Sequence, residues 1–387
     1  VLFRGWGASV DGQWPDTATV VDHVGVPHLV VTRHALVRRV LTDPVTFRPD
    51  NALDAVTPIP VAALRVLAGH RFRLPPTLAN NGGASHPEIR GIVADALHPH
   101  RVAAQRQWLT GLVRERVAGL AATLDAGRPV DLYAGLAADL PLLVLARLVE
   151  LPDAPVGAVK DFARAALELF WAPLDSARQL ALAAEVGRFH TVLREFAATG
   201  GGLAARLRDA GHSPDVVVGA LFFLLVAGQE TTSQFLTLLL HRLSGEPAVR
   251  AGLRAGTVAV DDVVEEGLRL EPPIVTWRRV AAVDTTLGEL PVAAGTSVVA
   301  WLARAGRDPS VVGAPGEFRP GQPGSRRHLA FGAGPHRCVG AQLARMEAAV
   351  VVAEATALLD DVTVVRPPWC PDNLTFRMPD AFVVRRA

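Results

Sequence analysis

The chain has 387 residues, with 39 Lys and Arg against 38 Asp and Glu, a formal net charge of +1. That balance excludes nucleic-acid binding by global charge and leaves only local basic patches. Half the residues are hydrophobic, enough for a large buried core, and two cysteines are too few for a secreted disulfide scaffold.

No signal peptide is legible at the start of the chain. The chain begins on Val rather than Met, so a short missing leader is expected. β-rich pieces are expected at 28–32, 280–299 and 362–384, among segments that mostly carry helical period. The Gly-rich stretch around residue 200 reads as a loop between two helices. A long helix is predicted from 214 to about 243. Ser213 suits its N-cap, Pro214 its first position and Asp215 the positive end of its dipole, while Gly245 and Pro247 end it. Its middle, LFFLLVAG, is apolar on every face, so this helix must run through the centre of the protein. The longest uncharged apolar run, 216–228, is too short to span a bilayer. With no repeat and no linker, the expectation is one domain over 1–387, mainly α with minor β sheets.

Residues 331–340 read FGAGPHRCVG, a tight Gly-rich loop that ends at Cys338, and a second helix is predicted over 340–359. Free N–H groups and the dipole of that helix would stabilise a thiolate and donate to a metal-bound sulfur. The competing reading is a buried free cysteine in a turn. Cys370, between Trp369 and Pro371, sits in an expected loop and has no assigned role. Two reduced thiols in a cytoplasmic protein are expected, with a lone bridge still open.

The loop resembles the haem-binding loop of the cytochrome P450 family at Phe331, Gly332, Gly334, His336, Arg337, Cys338 and Gly340, and AQLARMEA resembles the helix that follows it. The resemblance implies a long central helix over a buried haem b (iron protoporphyrin IX), with Cys338 ligating the iron. Further matches occur in family order and cover nearly the whole chain. Glu266 and Arg269, spaced i, i+3, resemble the family's structural Glu-x-x-Arg element, although an isolated pair of this kind is usually an exposed ion pair. Arg279, rather than the adjacent Arg278, resembles the arginine that forks onto a haem propionate. His86 and Arg90 resemble the His-x-x-x-Arg helix that binds the other propionate, and His336 joins them. In the meander before the cysteine loop, Arg319 stands where the family commonly has Asp.

The segment AGQETT, from Ala227 and Gly228 through Glu230 and Thr231, resembles the family's distal oxygen-binding segment. Gly228 would let the helix approach the iron and widen, and the Thr hydroxyl would bend it. Glu230 and Thr231 would deliver protons for activation of the O2 co-substrate. The resemblance also implies substrate contacts at Leu78, Asn80, Phe223, Val226, Ile274, Val275 and Phe376, each of which could equally be core. With Asn80 and Asn81 in the loop 75–81, a bulky, largely apolar ligand is expected, by resemblance a bacterial secondary metabolite. The implied reaction is hydroxylation or epoxidation. Oxidative aryl coupling and a non-catalytic recruitment module are the alternatives. No flavin or iron–sulfur motif is present, so electrons are expected from a separate ferredoxin and ferredoxin reductase, docking on Arg101, Arg106, Arg326, Arg327 and Arg337. No nucleic acid, no membrane and a monomer are expected.

Overall fold

The structure is a computed structural model that describes residues 13–21, 24–151 and 156–387. The N-terminal residues on which the leader expectation rests lie outside these. In chain order, the elements that position the site begin with strands β1 (Thr17–Val21), β2 (Pro27–Val31) and β3 (Phe47–Arg48). Helices α1 (His86–Ala96), α2 (Pro99–Asp125), α3 (Val156–Trp171), α4 (Ser176–Thr199), α5 (Pro214–Ser244) and α6 (Val260–Leu270) follow. Strands β4 (Thr276–Ala281) and β5 (Ser297–Trp301) and helix α7 (Ala341–Ala355) complete the frame.

The sheet order is β1-β2-β5-β4-β3, with β2 and β5 parallel and the other pairs antiparallel. The β-rich stretch predicted at 280–299 is in fact four strands, because Gly288 and Gly295 turn the chain between them at φ +61° and +83°. The stretch at 362–384 is two strands, Val362–Arg366 and Val383–Arg386, flanking irregular chain. The loop near residue 200 joins α4 to the helix Gly202–Asp209 as expected.

Helix α5 is the core of the molecule. Its Ser213 cap accepts from the Val216 amide at 3.4 Å. In length and hydropathy it could cross a membrane, yet its most apolar window is 72% buried inside the protein. The helix is not uniform. Over Val226–Glu230 it loosens to a π-helical segment, and the Thr231 hydroxyl donates to the Ala227 carbonyl at 2.6 Å. An inserted hydroxyl and a π-bulge are recognised causes of a local opening in a helix. Helix α7 packs along α2 and against α6 and stops at Ala355. The expected continuation to Leu359 is a 3₁₀ turn, where the Thr356 hydroxyl bonds the Val352 carbonyl.

Glu266 and Arg269 are not an exposed pair. Their side chains are 0% and 1% exposed and joined by two hydrogen bonds of 2.7 and 2.8 Å. Arg269 also donates to the carbonyls of Gly306, Pro315 and Glu317, and Glu266 accepts from the Arg319 amide and the Gln322 side chain. The unusual Arg319 is therefore harmless: its backbone makes the essential contact, while its side chain pairs with Glu317 at the surface. Removing one partner leaves a buried charge uncompensated. Arg269→Ala is expected to destabilise the protein by about 3–5 kcal/mol, read as a lower urea midpoint with an unchanged slope.

Candidate functional site

The cysteine loop is held by its own backbone. The Cys338 amide donates to the Phe331 carbonyl at 2.8 Å and the Arg337 amide to the Gly334 carbonyl at 3.0 Å. Gly334 has φ +71°, and a Cβ there would fall 2.7 Å from the Leu41 carbonyl oxygen, so only glycine lets the loop lie this close to the helix His34–Thr42. Cys338 comes three residues before α7, and its accessible surface faces an internal cavity rather than bulk solvent. Burial pushes the Cys338 thiol up, against the lowering effects of the Gly340 amide and of Arg90, Arg337 and Arg345. Arg345 lies 4.5 Å over the Phe331 ring and is tied to Glu265, which also accepts from His328. Burial works against that carboxylate, yet the His328 and Arg345 bonds hold Glu265 down at about 2. These supporting residues carry no sequence signature of their own; only their meeting in space reveals them.

The cavity is lined from the loop by Phe331, Gly332, His336, Cys338 and Gly340, from α5 by Phe223, Ala227, Gly228 and Thr231, and from other elements by Arg90 and Arg279. Arg279 is 2% exposed, its Nε has no partner, and burial lowers it to about 10. The neighbouring Arg278 instead donates to the Asp54 carbonyl and does not line the cavity. His86 does not line the cavity; it stacks on His336 with ring centroids 4.2 Å apart. His86 Nε2 and His336 Nδ1 are buried without partners, while His336 Nε2 meets the Asn81 carbonyl at 2.9 Å. Burial, opposed by that bond and aided by His86, Arg279 and Arg90, takes His336 down to about 4. Arg90 donates to the Arg337 carbonyl at 2.6 Å. Arg90, Arg279, His336 and Arg337 thus line the cavity with His86 stacked behind, and no carboxylate of the described residues lines it. Buried, unpartnered nitrogens beside cationic guanidinium groups call for an anionic ligand.

On α5, Gly228 lines the cavity beside Leu145. A Cβ there would lie 3.0 Å from Leu145, so the glycine serves the packing of the helix Leu140–Val149. Glu230 is placed differently from expectation. It does not line the cavity but is fully buried in ion pairs with Lys160 and Arg164 of α3, the latter at 3.6 Å. Thr231 and Thr232 are the hydroxyls at the cavity wall.

Of the expected substrate contacts, Leu78, Phe223 and Ile274 line the cavity. Val226 and Val275 point into the core. The Asn80 side chain turns back to the Thr77 amide at 3.4 Å, and Asn81 to the Gly83 amide at 2.9 Å, because loop backbone needs those acceptors. Phe376 is core too, edge-on behind Trp277 at 6.4 Å. Trp277 and Leu145, which the sequence reading missed, do line the cavity. The expected basic face is partly neutralised. Arg101 pairs with Glu150 at 3.4 Å and Arg326 with Asp262 at 2.8 Å, while Arg106, Arg327 and Arg337 are exposed.

A family model described as Cytochrome P450 matches residues 257–355. The chain is 30% identical over 367 residues to Cytochrome P-450 monooxygenase DoxA of Streptomyces sp. (strain C5), covering 85% of this chain and 81% of that protein. It is 29% identical to the Erythromycin C-12 hydroxylase of Saccharopolyspora erythraea, covering 89% and 85%. A solved structure of cytochrome P450 CREJ in complex with (4-ethylphenyl) dihydrogen phosphate superposes with TM-score 0.90 at 25% identity, covering 100% of this chain and 97% of that one. With its cysteine loop, buried Glu266–Arg269 pair and central π-bulged helix, this chain belongs to the cytochrome P450 family of haem-iron monooxygenases.

Proposed function

We propose that this single-domain chain holds haem b and uses O2 to hydroxylate or epoxidise a bulky, largely apolar small molecule of bacterial secondary metabolism. The observation that carries the reading is a cavity that joins one cysteine thiol to a basic cradle for which no described residue supplies a carboxylate at the wall. The residues fit the cofactor. Its two propionates match the unpartnered nitrogens of Arg279, His86 and His336, with Arg90 beside them; a propionate next to His336 would favour its protonated form, in which Nδ1 donates as well as Nε2. Cys338 would ligate the iron, and a bound cation deprotonates a coordinating thiol outright, reversing the effect of burial. When bound, the haem supplies one-electron and dioxygen chemistry, with the sulfur donating electron density to it.

The chain's own residues do the rest. The Thr231 hydroxyl rests its proton on the Ala227 carbonyl and can turn it into the cavity. Glu230, paired with Lys160 behind the cavity wall, would hold the proton reserve of this segment, and a proton would reach the Thr231 hydroxyl only through a bridging water or a turn of its side chain. Apolar side chains from Leu78, Phe223 and Ile274 keep bulk water out. The relationship to an erythromycin hydroxylase supports the secondary-metabolite assignment. We place the protein in the cytoplasm as a monomer, reduced by a ferredoxin and its reductase at Arg106, Arg327 and Arg337.

Cys338→Ser is expected to abolish the red-shifted absorption of the ferrous carbon-monoxide complex that marks a thiolate ligand; a retained band refutes the ligand assignment. Arg279→Ala should keep that band and lose haem faster to an acceptor apoprotein. For Thr231→Ala, electron consumption should continue while product per electron drops, and unchanged coupling would remove Thr231 from the proton path. Reduction by a ferredoxin should slow as ionic strength rises, whereas salt-independent rates would move docking away from the arginines.

A further inference from the structure

Beyond the basic cradle and Arg337 of the cysteine loop, the cavity is uncharged. Its wall toward α5 and β4 is built from Leu78, Phe223, Ala227, Ile274 and Trp277, with only the Thr231 and Thr232 hydroxyls as polar side chains. A charged substrate group buried there would have no counter-ion, a cost that transfer energies make prohibitive. An uncharged apolar group carries no such cost.

Trp277 stands out on this wall. It lies on β4 two residues before Arg279, so strand alternation puts both side chains on one face while Arg278 points to the other. Its ring is half-buried, with Phe376 against it edge-on at 6.4 Å and 84°. Phe376 is in turn edge-on to Trp171 of α3 at 5.0 Å, and is bridged to the backbone of Ile274. The indole is thus buttressed from behind by core aromatics and keeps accessible surface on a cavity wall. Large aromatic surface left open in a preformed cavity marks a ligand contact. A flat π-face also rewards a flat π-partner beyond what apolar area alone gives.

We propose that Trp277 is a specificity-determining residue that selects an uncharged substrate carrying a planar aromatic ring, stacked on the indole. This rests on the haem-thiolate monooxygenase reading of the cavity.

The test uses the haem-loaded protein and the substrate-induced low-spin to high-spin shift, titrated with naphthalene, its saturated counterpart decalin, and the anion 2-naphthoate. The wild type should bind naphthalene in preference to decalin. That preference should fall about two- to tenfold in Trp277→Leu and be largely kept in Trp277→Phe. 2-Naphthoate should bind at least about tenfold more weakly than naphthalene. If Trp277→Leu does not take up haem, Trp277→Met, with an adaptable unbranched side chain, replaces it. A preference that is unchanged by loss of the ring, or 2-naphthoate binding as tightly as naphthalene, overturns the proposal. Absence of the thiolate-type carbon-monoxide band in the wild type would instead overturn the reading beneath it.

Discussion

Arg269 and Glu266 sit under the whole assembly. Neither side chain reaches solvent, and between them they gather the Gly306, Pro315 and Glu317 carbonyls, the Arg319 amide and the Gln322 side chain. These partners belong to the chain between β5 and the cysteine loop, which has little regular structure of its own. A segment like that cannot satisfy its backbone internally, so a buried ion pair with spare donors and acceptors does it instead. Helix α6 thereby fixes where Cys338 is presented.

The central helix meets a different constraint. An all-apolar helix is stable in the core only if its backbone bonds are kept, yet a site needs the helix to open. The π segment at Val226–Glu230 and the Thr231–Ala227 hydrogen bond reconcile the two. They free local backbone without breaking the helix, while Leu145 fills the space beside Gly228. Glu230 lies in the same segment but faces α3, where Lys160 and Arg164 compensate its burial. The charges that compensate Glu230 also tie α5 to α3.

The cradle shows how charge betrays a ligand. Arg279, His86 and His336 carry buried, unpartnered nitrogens, and the effects of burial on Arg279 and His336 run the same way, away from the cationic form. A protein rarely leaves so many buried nitrogens unsatisfied unless a ligand completes them, and the cationic neighbours make that ligand an anion. The uncharged wall across the cavity reads in the opposite sense, as a surface that a neutral molecule can leave water to meet.

Much of this was legible in the chain itself. The FGAGPHRCVG loop, Glu266 with Arg269, Arg279, and His86 with Arg90 are local patterns, and local spacing determines which side chains share a face. The long helix and its caps were equally readable, because propensity, capping and apolar periodicity act over neighbouring residues. What the tertiary structure alone decided was direction and company. Asn80, Val226, Val275 and Phe376 turned to backbone or core, and Glu230 turned to α3, because each choice depends on what a distant element offers. Trp277, Lys160 and Arg345 acquired their roles the same way. Their partners lie many tens of residues away in the chain, and side-chain burial and pairing are settled only when those elements pack.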